Sequence, residues 1–396
     1  MANNNDKKVL NVPALRFPEF TGEWEKCKLS KVCSFFSGGT PPSSNKEYYN
    51  GNIPFIRSGE LHNDETELFI TKEGLDNSAA KMVEVGDLLL ALYGATSGDI
   101  AISKIKGAIN QAILCIRTKQ NKKFVESVWN KHVARLLQTY LQGGQGNLSA
   151  DIVKNIPFYF TNIEEQNKLA RFISLLDQRI AAQNKIIEKL QSLIKGIIVS
   201  HYSTTAHTIK VKIRELGEAY STMVMSKEQL TNDGNLCVFY GELFTLYGCV
   251  IDKVKSRTSL EKVSSTLSHG RDLLFPASTT VDAVSLIAPS ALMQKGIILG
   301  GDMFGIKVSE AYNPIYLSYY FNYIANKRLA KYAKGTTIIH LHYNEIANVA
   351  IELPNIEEQD KIVSTILEYS AKLSIEETIL EKLFDLKQYL LKQLFI

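Results

Sequence analysis

Apolar residues recur along two stretches of the chain at alternating steps of four and three. The first stretch carries Leu169, Ile173, Leu176, Ile180, Ile187, Leu190, Ile194 and Ile197, with one polar interruption at Gln183. The second carries Ile362, Ile366, Tyr369, Leu373, Leu380, Leu383, Leu390 and Leu394, interrupted at Glu376 and Lys387. A heptad seam of this kind predicts two amphipathic helices of about 35 residues. At about 1.5 Å per residue each reaches about 50 Å, longer than a small domain is wide. One such stripe usually packs on its own domain's core. Two matched stripes predict helices that pair with each other and act as spacers.

The two helices are copies. Residues 162–169 read Asn-Ile-Glu-Glu-Gln-Asn-Lys-Leu and residues 355–362 read Asn-Ile-Glu-Glu-Gln-Asp-Lys-Ile, identical at six of eight positions. The same offset of 193 residues aligns Ile173 with Ile366, Ile186 with Ile379, and Glu188-Lys189-Leu190 with Glu381-Lys382-Leu383. Upstream, Asn155-Ile156 faces Asn348-Val349. Asn162 and Asn355 are predicted N-caps, and the glutamates after them sit where the helix dipole favours negative charge. An internal duplication is best accommodated by antiparallel pairing about a pseudo-two-fold axis. The expected pairing residues are Leu169, Ile173, Leu176, Ile180, Gln183, Ile187 and Leu190 against Ile366, Leu373, Glu376, Leu380 and Leu383, with Gln183 and Glu376 meeting at the centre.

Each helix is preceded by a stretch of different texture, with short β-like runs and frequent Gly and Pro. In the first, strands are predicted at Ile53–Arg57, Asp87–Tyr93, Ile100–Ser103 and Ala108–Arg117, with a helix over Lys123–Leu141. In the second, they are predicted at Cys237–Tyr240, Asp272–Pro276, Ser285–Ala288 and Ile297–Val308, with a helix over Pro314–Lys331. Gly86-Asp87-Leu88-Leu89 faces Arg271-Asp272-Leu273-Leu274, and the closing helices run into a Gly-rich stretch, 143–148, and a Thr-rich one, Gly335–Ile338. The expected organisation is therefore α+β. Globular domains at 1–155 and 201–350 are each followed by a spacer helix, at 156–200 and 351–396. A constant frame with diverged heads is what binding two unlike half-sites at a fixed distance requires.

Composition narrows the class. Of 396 residues, 45% are hydrophobic, which excludes global disorder, and a net charge of +4 permits a nucleic-acid partner without demanding one. Five scattered cysteines without a C-x-x-C spacing point to neither a disulfide framework nor zinc, and fit a reducing cytoplasm. The polar start, MANNNDKKVL, is no signal peptide, and no apolar run approaches the ~20 residues that span a bilayer. Asn52-Ile53-Pro54-Phe55 and Asn155-Ile156-Pro157-Phe158 echo the Asn-Pro-Pro-Phe motif of adenine methyltransferases but lack its second proline and any preceding Gly-rich turn. No G-x-x-x-x-G-K-[ST] phosphate loop is present. His340 and His342, with His269, read as a β-edge rather than a metal site. No catalytic centre is expected, and no metal or cofactor in this chain.

Taken in order, several segments resemble the specificity subunit of Type I restriction–modification systems. They are Leu15-Arg16-Phe17-Pro18 with Trp24, Ser37-Gly38-Gly39-Thr40-Pro41-Pro42, Ile53-Pro54-Phe55-Ile56, Val85-Gly86-Asp87-Leu88-Leu89, and both Asn-Ile-Glu-Glu-Gln-x-Lys segments. The second domain departs at its start, where neither a matching Trp nor a Gly-Gly-Thr-Pro-Pro loop is found. The resemblance implies two target-recognition domains reading the halves of a split site in double-stranded DNA. It also implies two modification subunits carrying S-adenosylmethionine for adenine methylation, and two ATP-driven restriction subunits. Gly38, Gly39 and Thr40 are then expected at phosphates, with Arg57, Asn110, Gln111, Arg271, Ser278, Thr279 and Thr280 as candidate base readers, since Arg suits guanine and Asn or Gln suits adenine. The competing reading is a coiled-coil scaffold or adaptor with no DNA-reading role.

Overall fold

A computed structural model describes residues 10–141, 147–205 and 207–396. Residues 143–146 of the Gly-rich stretch lie outside these. The chain divides into two compact units, one holding residues up to Asn184 together with Thr378–Ile396, the other Lys185–Glu377. The division falls within the two long helices, Ile163–Thr204 and Ile356–Leu394, so each head takes part of both.

In the first unit the strands Cys33–Ser37, Ile113–Thr118, Leu88–Ala91 and Ile100–Ile102 form an antiparallel sheet in that order. A second sheet orders Phe69–Ile70, Tyr49–Ile56, Gly107–Ile109 and Lys81–Val83, with a parallel pair at its centre. Successive side chains of a strand point to opposite faces, and here both faces are covered. Leu88 and Leu90 enter the core beneath the helix Lys122–Leu141, while Leu89 and Ala91 enter a second core between the sheets. That is why Leu-Leu-Leu-Ala is apolar throughout.

The second unit repeats this plan with other residues. Gly217–Ser221, Met303–Val308, Asp272–Pro276 and Ser290–Leu292 form the four-stranded sheet. A five-stranded sheet again contains one parallel pair, Asn235–Phe239 with Lys295–Gly300. In each unit a two-stranded ribbon leads to a long helix, Glu25–Lys28 with Pro157–Phe160 and Ile209–Lys212 with Ala350–Leu353. The expected α+β repeat with two long antiparallel helices is the observed fold.

Local expectations differ in four places. Ala108–Arg117 is two strands, broken where the Asn110 side chain accepts from the Ala112 amide at 3.1 Å. Ile297–Val308 breaks likewise at Gly301, whose φ of 95° ends the pairing. Ser285–Ala288 is not a strand, because Asp282 caps a short helix, Ala283–Leu286, by accepting from the Val284 and Ser285 amides. The helix begun at Pro314 changes to a π turn at Phe321–Ala325, where Asn322 donates to the Ser318 and Pro289 carbonyls.

The repeated Asn-Ile-Glu-Glu-Gln segment is a joint. Asn162 and Asn355 are N-caps as predicted, accepting from Glu165 and Glu358 amides at 2.9 Å. The glutamine that follows is fully buried in both copies. Gln166 accepts from the Asn121 amide at 3.1 Å and donates to the Thr161 carbonyl at 2.7 Å. Gln359 accepts from the Asn313 amide at 2.9 Å and donates to the Pro354 carbonyl at 2.8 Å. Asn121 and Asn313 open the closing helix of their domains, and their side-chain amides donate to Asn167 and Asp360, both at 2.8 Å. The first copy is reinforced by Arg16, whose guanidinium makes two bonds of 2.7 and 2.8 Å to the buried Glu165 carboxylate. Trp24 packs on Phe124 and Phe395.

The helix seam is antiparallel within each unit. In the first, Asp177 pairs with Lys387 at 2.6 Å, and Leu169 and Ile173 share a core with Leu391 and Leu394. In the second, His201 faces Glu358 at 3.7 Å, and Ile194 and Ile198 share a core with Val363 and Ile366. Of the expected seam residues, Leu169, Ile173, Ile180, Gln183, Ile187, Leu190 and Ile366 are buried, while Leu176, Leu373, Glu376, Leu380 and Leu383 are half-buried. Gln183 belongs to the first unit and Glu376 to the second.

Replacing Gln359 by Ala strands the Asn313 amide and the Pro354 carbonyl. A loss of about 1–3 kcal/mol per buried group is expected, read as a lower urea midpoint at unchanged slope. Lys361→Ala, at a nearby exposed position, should stay within about 0.5 kcal/mol of the parent.

Candidate nucleic-acid interface

In the first unit five of the predicted contact residues converge at one end of the antiparallel sheet. Gly38 and Gly39 donate their amides to the Ile113 and Ile109 carbonyls. A Cβ at Gly38 would stand 1.9 Å from the Ile109 carbonyl oxygen, and one at Gly39 2.5 Å from the Ala79 methyl. Close backbone approach therefore accounts for both glycines, and their amides are engaged inside the domain. The exposed Thr40 hydroxyl donates to the side-chain carbonyl of Gln111, itself exposed and bonded to the Tyr93 phenol. Asn110 is half-buried and caps the crossover between sheets.

Arg57 reaches the same end, since the carbonyl of its neighbour Ile56 accepts from the Asn110 amide. Its guanidinium is held by the Glu60 carboxylate at 3.0 and 3.1 Å and by Glu67 at 2.7 Å. Burial opposes ionisation of Glu60, but the Arg57 side chain, the Arg57 and Glu67 amides and the Thr66 hydroxyl outweigh it and hold the carboxyl at about 2. Arg57 thus stabilises a buried acid behind the loop.

The second unit places a counterpart at the same end. Ser37 closes its strand opposite Leu114, and Ser221 closes its own opposite Phe304. The loop Ser221–Ser226 therefore occupies the place of Ser37–Pro42 without sharing its sequence. With Tyr240, Gly301–Phe304 and His342–Asn344 it borders a concavity of about 750 Å³. Ser278, buried, and Thr279, half-buried, pair with His340 and Ile339, and Thr280 beyond them is exposed.

Arg271 is not brought to this end. It precedes Asp272, at the far end of the strand Asp272–Pro276, and donates to the Ser309 and Tyr312 carbonyls at 3.1 and 2.6 Å. It staples the loop after Val308. The three histidines also separate. His269 Nδ1 lies 2.9 Å from the Asp272 carboxylate, whereas the rings of His340 and His342 stack with centroids 6.2 Å apart.

The aspartates matched between the domains share one role. Asp87 accepts from the Glu84 amide at 3.0 Å, and Asp272 from the His269 amide at 2.7 Å, each closing the turn that starts its strand. Burial raises the Asp87 carboxyl, but Arg117 and the Glu84 amide more than offset this and leave it below the usual range.

The sequence matches the Type I restriction modification DNA specificity domain twice, over residues 21–192 and 208–384. The chain belongs to this family, and is a Type I restriction–modification specificity subunit whose role is DNA sequence recognition. It is similar to the specificity subunit of the Type I restriction enzyme MjaVIII of Methanocaldococcus jannaschii, 23% identical over 377 residues, 87% of this chain and 85% of that one. The MjaIX specificity subunit of the same organism is 27% identical over 182 residues, 42% of each chain. In fold it matches the S subunit of a Type I restriction–modification system from M. genitalium, with a TM-score of 0.57 at 15% identity over 97% of this chain and 99% of that one. Relatives named as specificity subunits imply a non-catalytic role. Among the described residues no helix is long and apolar enough to cross a membrane.

The lowered Glu60 carboxyl has a directional consequence. Its contribution to stability is complete above the ordinary carboxylate value of about 4.3 and is lost as pH falls from there towards about 2. In Arg57→Ala the Glu60 titration should move upward, and acid unfolding of the first domain should begin at higher pH. Carboxyl NMR titration with unfolding followed against pH checks both. An unmoved Glu60 would mean that Arg57 does not stabilise it.

Proposed function

We propose that this chain reads a bipartite site in double-stranded DNA, one half with each recognition domain, and directs adenine methylation and DNA cleavage by partner subunits. The observation that carries this reading is the duplicated joint. The Gln166–Asn121 and Gln359–Asn313 bonds attach two domains of one topology to matched helices. The loops those domains present share only their first serine, Ser-Gly-Gly-Thr-Pro-Pro against Ser-Thr-Met-Val-Met-Ser. An invariant attachment with unlike reading loops suits a split, asymmetric target.

Within the first domain, Thr40 and Gln111 are the exposed groups that meet DNA, and a glutamine amide matches the donor–acceptor pair of adenine in the major groove. Thr279 and Thr280 do the same work in the second, with Ser278 buried in the ribbon that carries them. Gly38, Gly39, Asn110, Arg57 and Arg271 act behind these surfaces, fixing loop shape. Two modification subunits bring S-adenosylmethionine and two restriction subunits bring ATP chemistry, in the cytoplasm. Exposed apolar side chains on the long helices, Phe172 and Leu175 in the first unit and Leu193 and Ile375 in the second, offer the surface such partners cover.

The test is co-expression with a candidate modification subunit, followed by mapping of methylated adenine across genomic DNA. A split motif with a fixed gap, present only with this chain, is expected. The purified complex should also bind its site with affinity that falls steeply with salt, as phosphates release counterions. A stable complex with neither sequence-dependent methylation nor salt-dependent DNA binding would establish the scaffold reading instead.

A further inference from the structure

Beyond the four-stranded sheet, the second domain carries a small β ribbon. Ser278 and Thr279 pair antiparallel with His340 and Ile339, and Lys334 and His340 exchange both backbone hydrogen bonds, at 2.9 and 2.7 Å. The turn between them is fixed by Gly335, whose φ is 118° and whose Cβ would fall 2.0 Å from the Ile338 carbonyl oxygen. The root is anchored where the Leu341 amide donates to the Ala277 carbonyl and the Leu341 side chain enters the domain core. The tip, Thr336, Thr337 and Ile338, is exposed. A rigidly rooted turn thus presents two hydroxyls and little apolar surface.

Two carboxylates sit at the root of the ribbon, Glu345 paired with Lys334 at 2.8 Å and Asp302 3.8 Å from His340 Nδ1, while the helical stretch leading into it is basic. Between Glu310 and Glu345 the chain has no acidic residue, and Lys327, Arg328, Lys331 and Lys334 are all exposed. A polyanion complements such a stretch, whereas a protein partner would find only Ile338 as an apolar anchor at the tip. The major groove, about 12 Å wide, admits a two-stranded ribbon. Threonine hydroxyls there both donate and accept, and threonine methyls contact thymine.

Resting on the DNA-reading role above, we propose that this ribbon enters the major groove and sets the half-site read by the second domain, with Thr336, Thr337 and His340 meeting base edges and the exposed Lys327 and Lys331 meeting phosphates. None of these residues was singled out for DNA contact by the sequence motifs. Their role follows from the ribbon that brings them together.

The test uses the complex with a modification subunit and maps the methylation motif for the parent, for the double substitution Thr336→Ala with Thr337→Ala, and for His340→Ala. Val263→Ala, at an exposed position elsewhere in the domain, is the control. Relaxed sequence preference at one or more positions of one half-site is expected, with discrimination falling about tenfold or more. The other half, the gap and the control motif should stay as in the parent. An unchanged motif in intact, normally folded complexes would overturn the proposal. Loss of the modification subunit from the variants would overturn it in favour of a protein-docking role. A parent complex with no split motif at all would remove the underlying reading and the ribbon's role with it.

Discussion

A buried glutamine amide needs partners for its carbonyl and its amino group, and in this protein each finds a backbone group at the foot of a helix, with the Gln120 side chain added in the first copy. Gln166 and Gln359 each tie the amide that opens a recognition-domain helix to the carbonyl that precedes a long helix. Because the bonds common to both copies run to backbone, they place little demand on the side chains elsewhere in the domain. The joint fixes only the angle at which one helix start meets another. An unsatisfied buried polar group costs about 1–3 kcal/mol, so a wrongly seated domain loses stability at once. Orientation is thereby built into the chain twice while the recognition surfaces are left free to diverge.

The heads use the same economy. Central strands send alternate side chains into two cores, so loops at the strand ends can change without disturbing either. Three arginines of the heads are held by groups of their own domain. Arg57 holds a buried glutamate, Arg117 holds Asp87, and Arg271 ties down backbone carbonyls. On the proposed reading, recognition falls to small polar groups, Thr40 and Gln111 in one domain and the threonines of the β ribbon in the other, carried on turns whose shape glycine and backbone hydrogen bonds determine.

What could be read from the sequence follows from the range over which each cause acts. Heptad spacing and N-caps are local, so both long helices, their caps and their antiparallel pairing were legible, as was the alignment of Asp87 with Asp272. The splitting of two long apolar runs was missed because its causes, an Asn side chain and a glycine with positive φ, leave composition unchanged. The intradomain bonds of the two arginines were not legible where their partners lie far along the chain. Glu67 is ten residues from Arg57, and the carbonyls that hold Arg271 are about forty residues away. The equivalence of Ser221–Ser226 with Ser37–Pro42 rests on strand register alone, which no side chain signals. The glutamine of the repeated motif was visible as a repeat, but its function needed Asn121 and Asn313 in place.

The central claim is that the joints and helices form a constant frame on which each head reads independently. Exchange of the first head measures this most directly. Residues 21–160 would be replaced by the corresponding domain of another family member, leaving Gln166 and both long helices intact, and the methylation motif of the assembled complex would be mapped. One half of the motif should change while the other half and the gap are retained. A change in both halves, or an unaltered motif, would contradict the claim.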